Sequence, residues 1–191
     1  MGMADTMALA SGGVTVFDPH STLVSGTVLF GEGVVLWPGV ILDIRGGGSL
    51  SIGAGTVLFP GTRIVADDGR ITIGAETEIG EEGGFTIKAD GKDVEITIGD
   101  RARLLGCGSL SLNNTIGDGA QVLGPIRMQR CMLGSGGCYR SADPDRRGGV
   151  LKGSGVARGL DVPRGHVIQA FGLFAGAPLR PQSFFHPPGG G

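Results

Sequence analysis

The sequence predicts an all-β chain, a single parallel β-helix of imperfect hexapeptide repeats, and three observations lead there. Aliphatic residues recur every six positions, with Ile98, Leu104, Leu110, Ile116, Val122 and Met128 following one another without insertion. Glycine often follows the aliphatic residue directly, and a small or branched residue stands four places after it, as in Ile52-Gly53-Ala54-Gly55-Thr56. Thirty-nine glycines, with no Gly-X-Y triplet and 40% apolar residues, exclude both collagen and disorder, so the glycines punctuate something regular.

A period of six matches neither the 3.6-residue helix nor a long plain strand. It divides into a short flat strand and a recurring bend. The frame opens at Phe30-Gly31, continues through Leu36 and Leu42, and resumes at Ile52, Leu58 and Ile64. It then runs through Ile73, Ile79 and Phe85 before the uninterrupted stretch from Ile98. The aliphatic of each block should point inward, and its glycine should allow the sharp turn between faces. One rung cannot bury its own apolar face, so only a stack of hydrogen-bonded coils is stable.

Breaks in the frame should mark one corner. The extra residues are 45–49, 67–70 and 88–93, all polar and rich in turn formers, and they are expected to bulge from the prism. A larger insertion, 140–149, follows Tyr139, after which Leu151 restores the period. The last coil is placed at Val162–Val167 with Ile168, and Phe171 to Pro181 is expected to cover the open end. The organisation is therefore a flexible N-terminus over 1–13, a β-helix over 14–181 with a mobile insertion at 140–149, and a disordered proline-glycine tail over 182–191.

Composition narrows the function. Sixteen Lys and Arg against eighteen Asp and Glu lack the basic excess that phosphate neutralisation on nucleic acid requires. Cys107, Cys131 and Cys138 are odd in number and show no CxxC spacing, which encodes neither a disulfide framework nor a zinc ribbon. The apolar stretch Val167 to Leu179 is broken by Gly172, Gly176 and Pro178, and no secretory leader is evident, so a cytoplasmic location without stable membrane insertion is expected. Met1-Gly2-Met3-Ala4-Asp5-Thr6 fits the loose N-myristoylation pattern.

Catalytic chemistry demands particular residue types in particular places. A zinc hydratase needs three imidazoles converging on one metal, yet His20, His166 and His186 lie in the first coil, the last coil and the tail. An acyltransferase needs a general base, and His166 is the repeat-embedded candidate, read as a variable outward position with only Asp161 near in sequence. Cys107, Cys131 and Cys138 are not expected to be nucleophilic. Asp67, Asp68, Glu81 and Glu82 read as solvated corners, Gly153-Ser154-Gly155 as repeat punctuation, and Asn113-Asn114-Thr115 as a sequon without consequence. No catalytic, cofactor-binding or metal residue, and no cofactor, is expected.

Repeats of this kind resemble the left-handed β-helix family, in which three blocks make one coil of a triangular prism. The resemblance implies left-handed winding, against the general right-handed rule for parallel crossovers. The segment Arg63 to Gly74, then Ile79-Gly80-Glu81-Glu82, Ile98-Gly99-Asp100, Ile116-Gly117-Asp118 and Val162 to Ile168, resembles in order and insertion placement the small pointed-end β-helix subunits of dynactin, the family of its subunit six. That resemblance implies a non-catalytic scaffold supporting dynein-driven microtubule transport. Its partners would be a second β-helix subunit and other pointed-end proteins, with a cytoskeleton-associated location. The insertion 140–149 and the proline-glycine tail depart from that family. Leu36-Trp37-Pro38-Gly39-Val40-Ile41 and the Arg45-Gly46 bend resemble instead the γ-carbonic-anhydrase-like subunits of mitochondrial complex I. A trimeric hexapeptide acyltransferase is the third reading.

Overall fold

The computed structural model describes residues 9–186, so the Gly2 motif and the tail from 187 onward lie outside it. The chain is a left-handed parallel β-helix with three faces. The first face stacks Thr15–Val16, Val35–Leu36, Val57–Leu58, Glu78–Ile79, Arg103–Leu105 and Gln121–Leu123. The second stacks Leu23–Ser25, Ile41–Arg45, Arg63–Asp67, Thr86–Asp90, Ser109–Ser111 and Ile126–Gln129. The long strand Val150–Arg158 passes from the first face to the second without a corner and joins them into one sheet. The third face is a seven-stranded sheet from Val28–Phe30 to Asp161–Val162.

The six-spaced side chains form the core. Ile98, Leu104, Leu110, Ile116, Val122 and Met128 are each 0–1% exposed, which places the period inside the prism. Registers carry the pattern from coil to coil: Ile52 lies against Ile73, Ile73 against Ile98, and Ile98 against Ile116. Small corner residues complete the seal. Thr56, Thr62 and Thr77 are fully buried, and their hydroxyls donate to the carbonyls of Gly74, Ile79 and Gly99 in the coil above.

The glycine after each isoleucine has a different purpose from the one expected. Gly31, Gly53, Gly74, Gly99 and Gly117 do not have positive φ. They stand where coils touch. A Cβ on Gly53 would lie 2.5 Å from the Gly74 carbonyl carbon, and one on Gly74 2.5 Å from that of Gly99. The same glycines donate to the next coil, Gly53 N–H to Ile73 at 2.8 Å and Gly74 N–H to Ile98 at 2.7 Å. The sharp bend falls two residues later, in the left-handed region, at Gly33 (φ +72°), Gly55 (+69°), Glu76 (+54°), Arg101 (+53°) and Gly119 (+63°). Two of those five positions are not glycine, so packing at the isoleucine-glycine step is the stricter demand.

Frame breaks also differ from the sequence reading. Phe85 is not the inward repeat residue, since Ile87 aligns with Ile64 and Leu110. Gly83 and Gly84 are therefore a second insertion, at the corner between first and second faces. Phe85 fills the inner corner there, and a Cβ on Gly108 above would lie 2.5 Å from its ring. The polar breaks at 45–49, 67–70 and 88–93 do share one corner, between second and third faces, but they stack rather than bulge. Asp43–Arg45, Val65–Asp67 and Lys88–Asp90 pair strand on strand, and Ala66 and Ala89 between them are fully buried.

The C-terminal end closes differently from expectation as well. Phe174 is fully buried and plugs the prism with Ala177 packed beside the core, while Phe171 and Leu173 are exposed. Leu179–Pro181 then runs antiparallel against His166–Ile168. At the opposite end a 3-10 turn, Leu9–Gly12, brings Leu9 against the core.

The two glycine roles make opposite predictions. Gly74→Ala should force coils apart and cost about 1–3 kcal/mol, read as a lowered midpoint of thermal unfolding. Glu76→Gly should leave that midpoint unchanged or raise it, because relief of a left-handed residue, about 1–2 kcal/mol, outweighs the entropy of the unfolded glycine, about 0.4–1 kcal/mol.

Candidate active site

Two segments outside the repeat, the insertion after Leu133 and the tail after Pro181, lie along the corner between third and first faces. The insertion is tied down over its length. Gly136 N–H donates to the Asp118 carbonyl, Gly148 N–H to Gly137 and Gly149 N–H to Gly134. The Arg147 guanidinium donates twice to the Ser141 carbonyl, at 2.9 and 2.7 Å. Asp143 caps the short 3-10 turn Pro144–Arg146 by accepting from Asp145 N–H. The tail docks on this insertion, with the Gln182 side chain donating to the Gly148 carbonyl at 2.7 Å and Ser183 N–H to Asp145 at 2.8 Å.

His166 stands where these pieces meet. It occupies the corner column of Val34, Thr56, Thr77, Ala102, Ala120 and Gly149, all buried, rather than an outward rung position. It is half-exposed because it stands at the end of the stack. Its Nδ1 lies 2.9 Å from the Arg164 carbonyl, which only accepts, so Nδ1 is the donor of this bond. Gly165, at φ +74°, lets the Asp145 backbone approach, since a Cβ there would lie 2.1 Å from the Asp145 carbonyl oxygen. Hydrogen bonds from Ser183 hold the Asp145 carboxyl below its ordinary value, and His166 adds a smaller favourable charge interaction. Asp145, far off in sequence, thus lies against the residue that precedes His166.

Two clefts lie beside these segments, one at the tail and one at the insertion, and His166 lines neither. One, of about 410 Å³, is lined by Val150, Lys152, Val167, Gln169, Gln182 and His186, among others, and Val167 and Gln169 follow His166 on its own strand. The other, of about 630 Å³, lies under the tip of the insertion. There a turn closed by Ser141 N–H to the Cys138 carbonyl presents Tyr139, whose ring lies 4.1 Å beneath the Arg103 guanidinium. Arg103 also pairs with Glu78 at 2.7 Å and Glu81 at 3.2 Å, which balances the charges at its floor.

The remaining candidates stay apart. His20 is exposed in the turn after Phe17, Cys107 is exposed at a corner with φ +59°, and Cys131 is buried. Asn114 of the sequon is buried in the prism, where its amide donates to Ser111 and Leu112 and accepts from Cys131 N–H. Asp68 accepts from Gly47 N–H, and Gly153-Ser154-Gly155 lies within the long Val150–Arg158 strand. Among the described residues no three His, Cys, Asp or Glu side chains are grouped as metal ligands. No described helix is long and apolar enough to cross a membrane.

No family model and no curated protein matches the chain. Among solved structures it is similar to a mutant of perosamine N-acetyltransferase from Caulobacter crescentus, in complex with CoA and GDP-perosamine. The identity is 18% and the TM-score 0.40, over 93% of this chain and 62% of that one. PerB from the same organism, with the same two molecules bound, gives 18% identity and a TM-score of 0.26, over 93% and 63%. The chain thus spans under two thirds of the length of these proteins, and the likeness concerns the β-helix fold. It corrects one expectation nonetheless. The expectation of a non-enzyme is set aside, because a solved structure similar to the chain is a mutant of perosamine N-acetyltransferase, and nothing in the comparisons supports a dynactin subunit.

The tail dock is testable through Asp145. Its folded pKa lies below the ordinary 3.8, so its contribution is complete above that value and is lost only as pH falls through the lower, folded one. At neutral pH the carboxylate is engaged. Asp145→Ala should therefore speed chymotryptic cleavage at Phe184 and Phe185 several-fold at neutral pH, with an unchanged far-ultraviolet circular dichroism spectrum.

Proposed function

We propose that the chain is a hexapeptide-type acyltransferase in which His166 is the general base. The observation that carries this reading is the imidazole pinned through Nδ1 to the Arg164 carbonyl beside Asp145. Nε2 takes the proton from an acceptor amine or hydroxyl as that group attacks the thioester carbonyl of an acyl donor of the coenzyme A class. The imidazolium so formed keeps its Nδ1–H bond to Arg164, and the Asp145 carboxylate favours its positive charge. Nε2–H then protonates the departing thiolate. The corner column accounts for why a histidine fits there: every lower position has a coil above it and takes a small or aliphatic residue, whereas the terminal rung leaves room for a ring.

Turnover of acetyl-coenzyme A against a panel of small amines and sugar alcohols, read as free thiol release, tests the reading. His166→Ala should lower the rate by about 10²–10⁴-fold with little change in thermal midpoint, while His20→Ala should leave it unchanged. Activity that survives in His166→Ala, or no thiol release with any acceptor, contradicts it.

A further inference from the structure

The last rung leaves a sheet edge bare. The strand His166–Leu173 pairs with Val150–Arg158 on one side, but on its other side Leu179–Pro181 covers only His166–Ile168. Among the described residues, Gln169-Ala170-Phe171-Gly172-Leu173 therefore has a partner strand on one side alone. Natural sheet edges are ordinarily blunted by charges, proline or a covering segment. This one has no charge and no proline, and it carries the two most exposed large apolar side chains among the described residues, Phe171 at 79% and Leu173 at 76%.

We infer that this edge pairs with the same edge of a second copy of the chain, antiparallel about a two-fold axis through Phe171. Three features select that occupant. The five-residue edge is uncharged, so bringing two together sets no like charges opposite one another. An antiparallel two-fold contact is self-complementary and closes, placing Phe171 opposite Phe171 and Gln169 opposite Leu173. Head-to-tail stacking on the N-terminal rung, the open-ended alternative, meets the Leu9–Gly12 turn, whose Leu9 packs against the core at that end. Surface area sets the strength. Phe171, Leu173 and the 45% exposed Leu179 bare roughly 350 Å² per copy, under half of the about 800 Å² each partner buries in a stable complex. Backbone pairing along five residues supplements it, and the dimer is a moderate, concentration-dependent one.

Sedimentation of the full chain over a concentration series tests the contact, with Phe171→Lys and Phe171→Glu as variants and circular dichroism melting to verify their folding. The wild type should reach twice the mass of either variant, and an equal mixture of the two variants should regain the doubled mass, because lysine then faces glutamate across the axis. Leu173→Lys serves as a second disrupting variant if Phe171→Lys melts early. A wild type of the same mass as the variants overturns the inference. So does a mixture that stays at the lower mass, which places the contact elsewhere or in another register, and so does a doubled mass that persists in every variant. The outcome is independent of whether His166 supports acyl transfer.

Discussion

The approach of one coil to the next at the isoleucine-glycine step sets everything else. There the backbone of Gly53 meets that of Gly74, and Gly74 that of Gly99, with no room for a methyl group, while short N–H to carbonyl bonds link the same positions. This contact fixes the coil spacing, and the spacing decides which side chains meet. Isoleucines stack on isoleucines, threonine hydroxyls reach the carbonyls above, and Phe85 is admitted to its corner because Gly108 yields space. Burial of the column follows from the backbone contact, and the stack is stable only as a whole.

A prism built this way has little chemistry along its length, because each rung repeats the one beneath. Departures from repetition occur where the stack stops or where the chain leaves it. The insertion after Leu133 and the returning tail are joined by Asp145 and Ser183, and they meet the terminal rung at His166. The same terminal rung exposes Phe171 and Leu173. The proposed base and the proposed contact lie at one end for one physical reason: among the described residues no further coil covers it.

The fold was largely legible in the sequence, because a six-residue period over residues 98–128 has no other economical reading. The role of glycine was not, since sequence does not distinguish a glycine required for close packing from one required for a left-handed bend. Gly74 and Gly55 look alike until coordinates separate them. The misplacement of Phe85 arose from counting in sixes through two extra glycines, where Ile87 offered an equally apolar inward residue. The site was legible only in its histidine. Asp145 approaches His166 through a non-repeating insertion, and Ser183 through a tail, and neither follows from periodicity. The outward placement of His166 failed because its column is defined by neighbours in other coils.

Amide hydrogen exchange followed by nuclear magnetic resonance tests the coil contact most directly. The amides of Gly53, Gly74, Gly99 and Gly117 should be among the slowest in the chain and should exchange together, only through global unfolding. Exchange at these four as rapid as at the exposed amides of Ala142 and Asp143 would contradict the account, because the coils would then not be bonded where their backbones are said to meet.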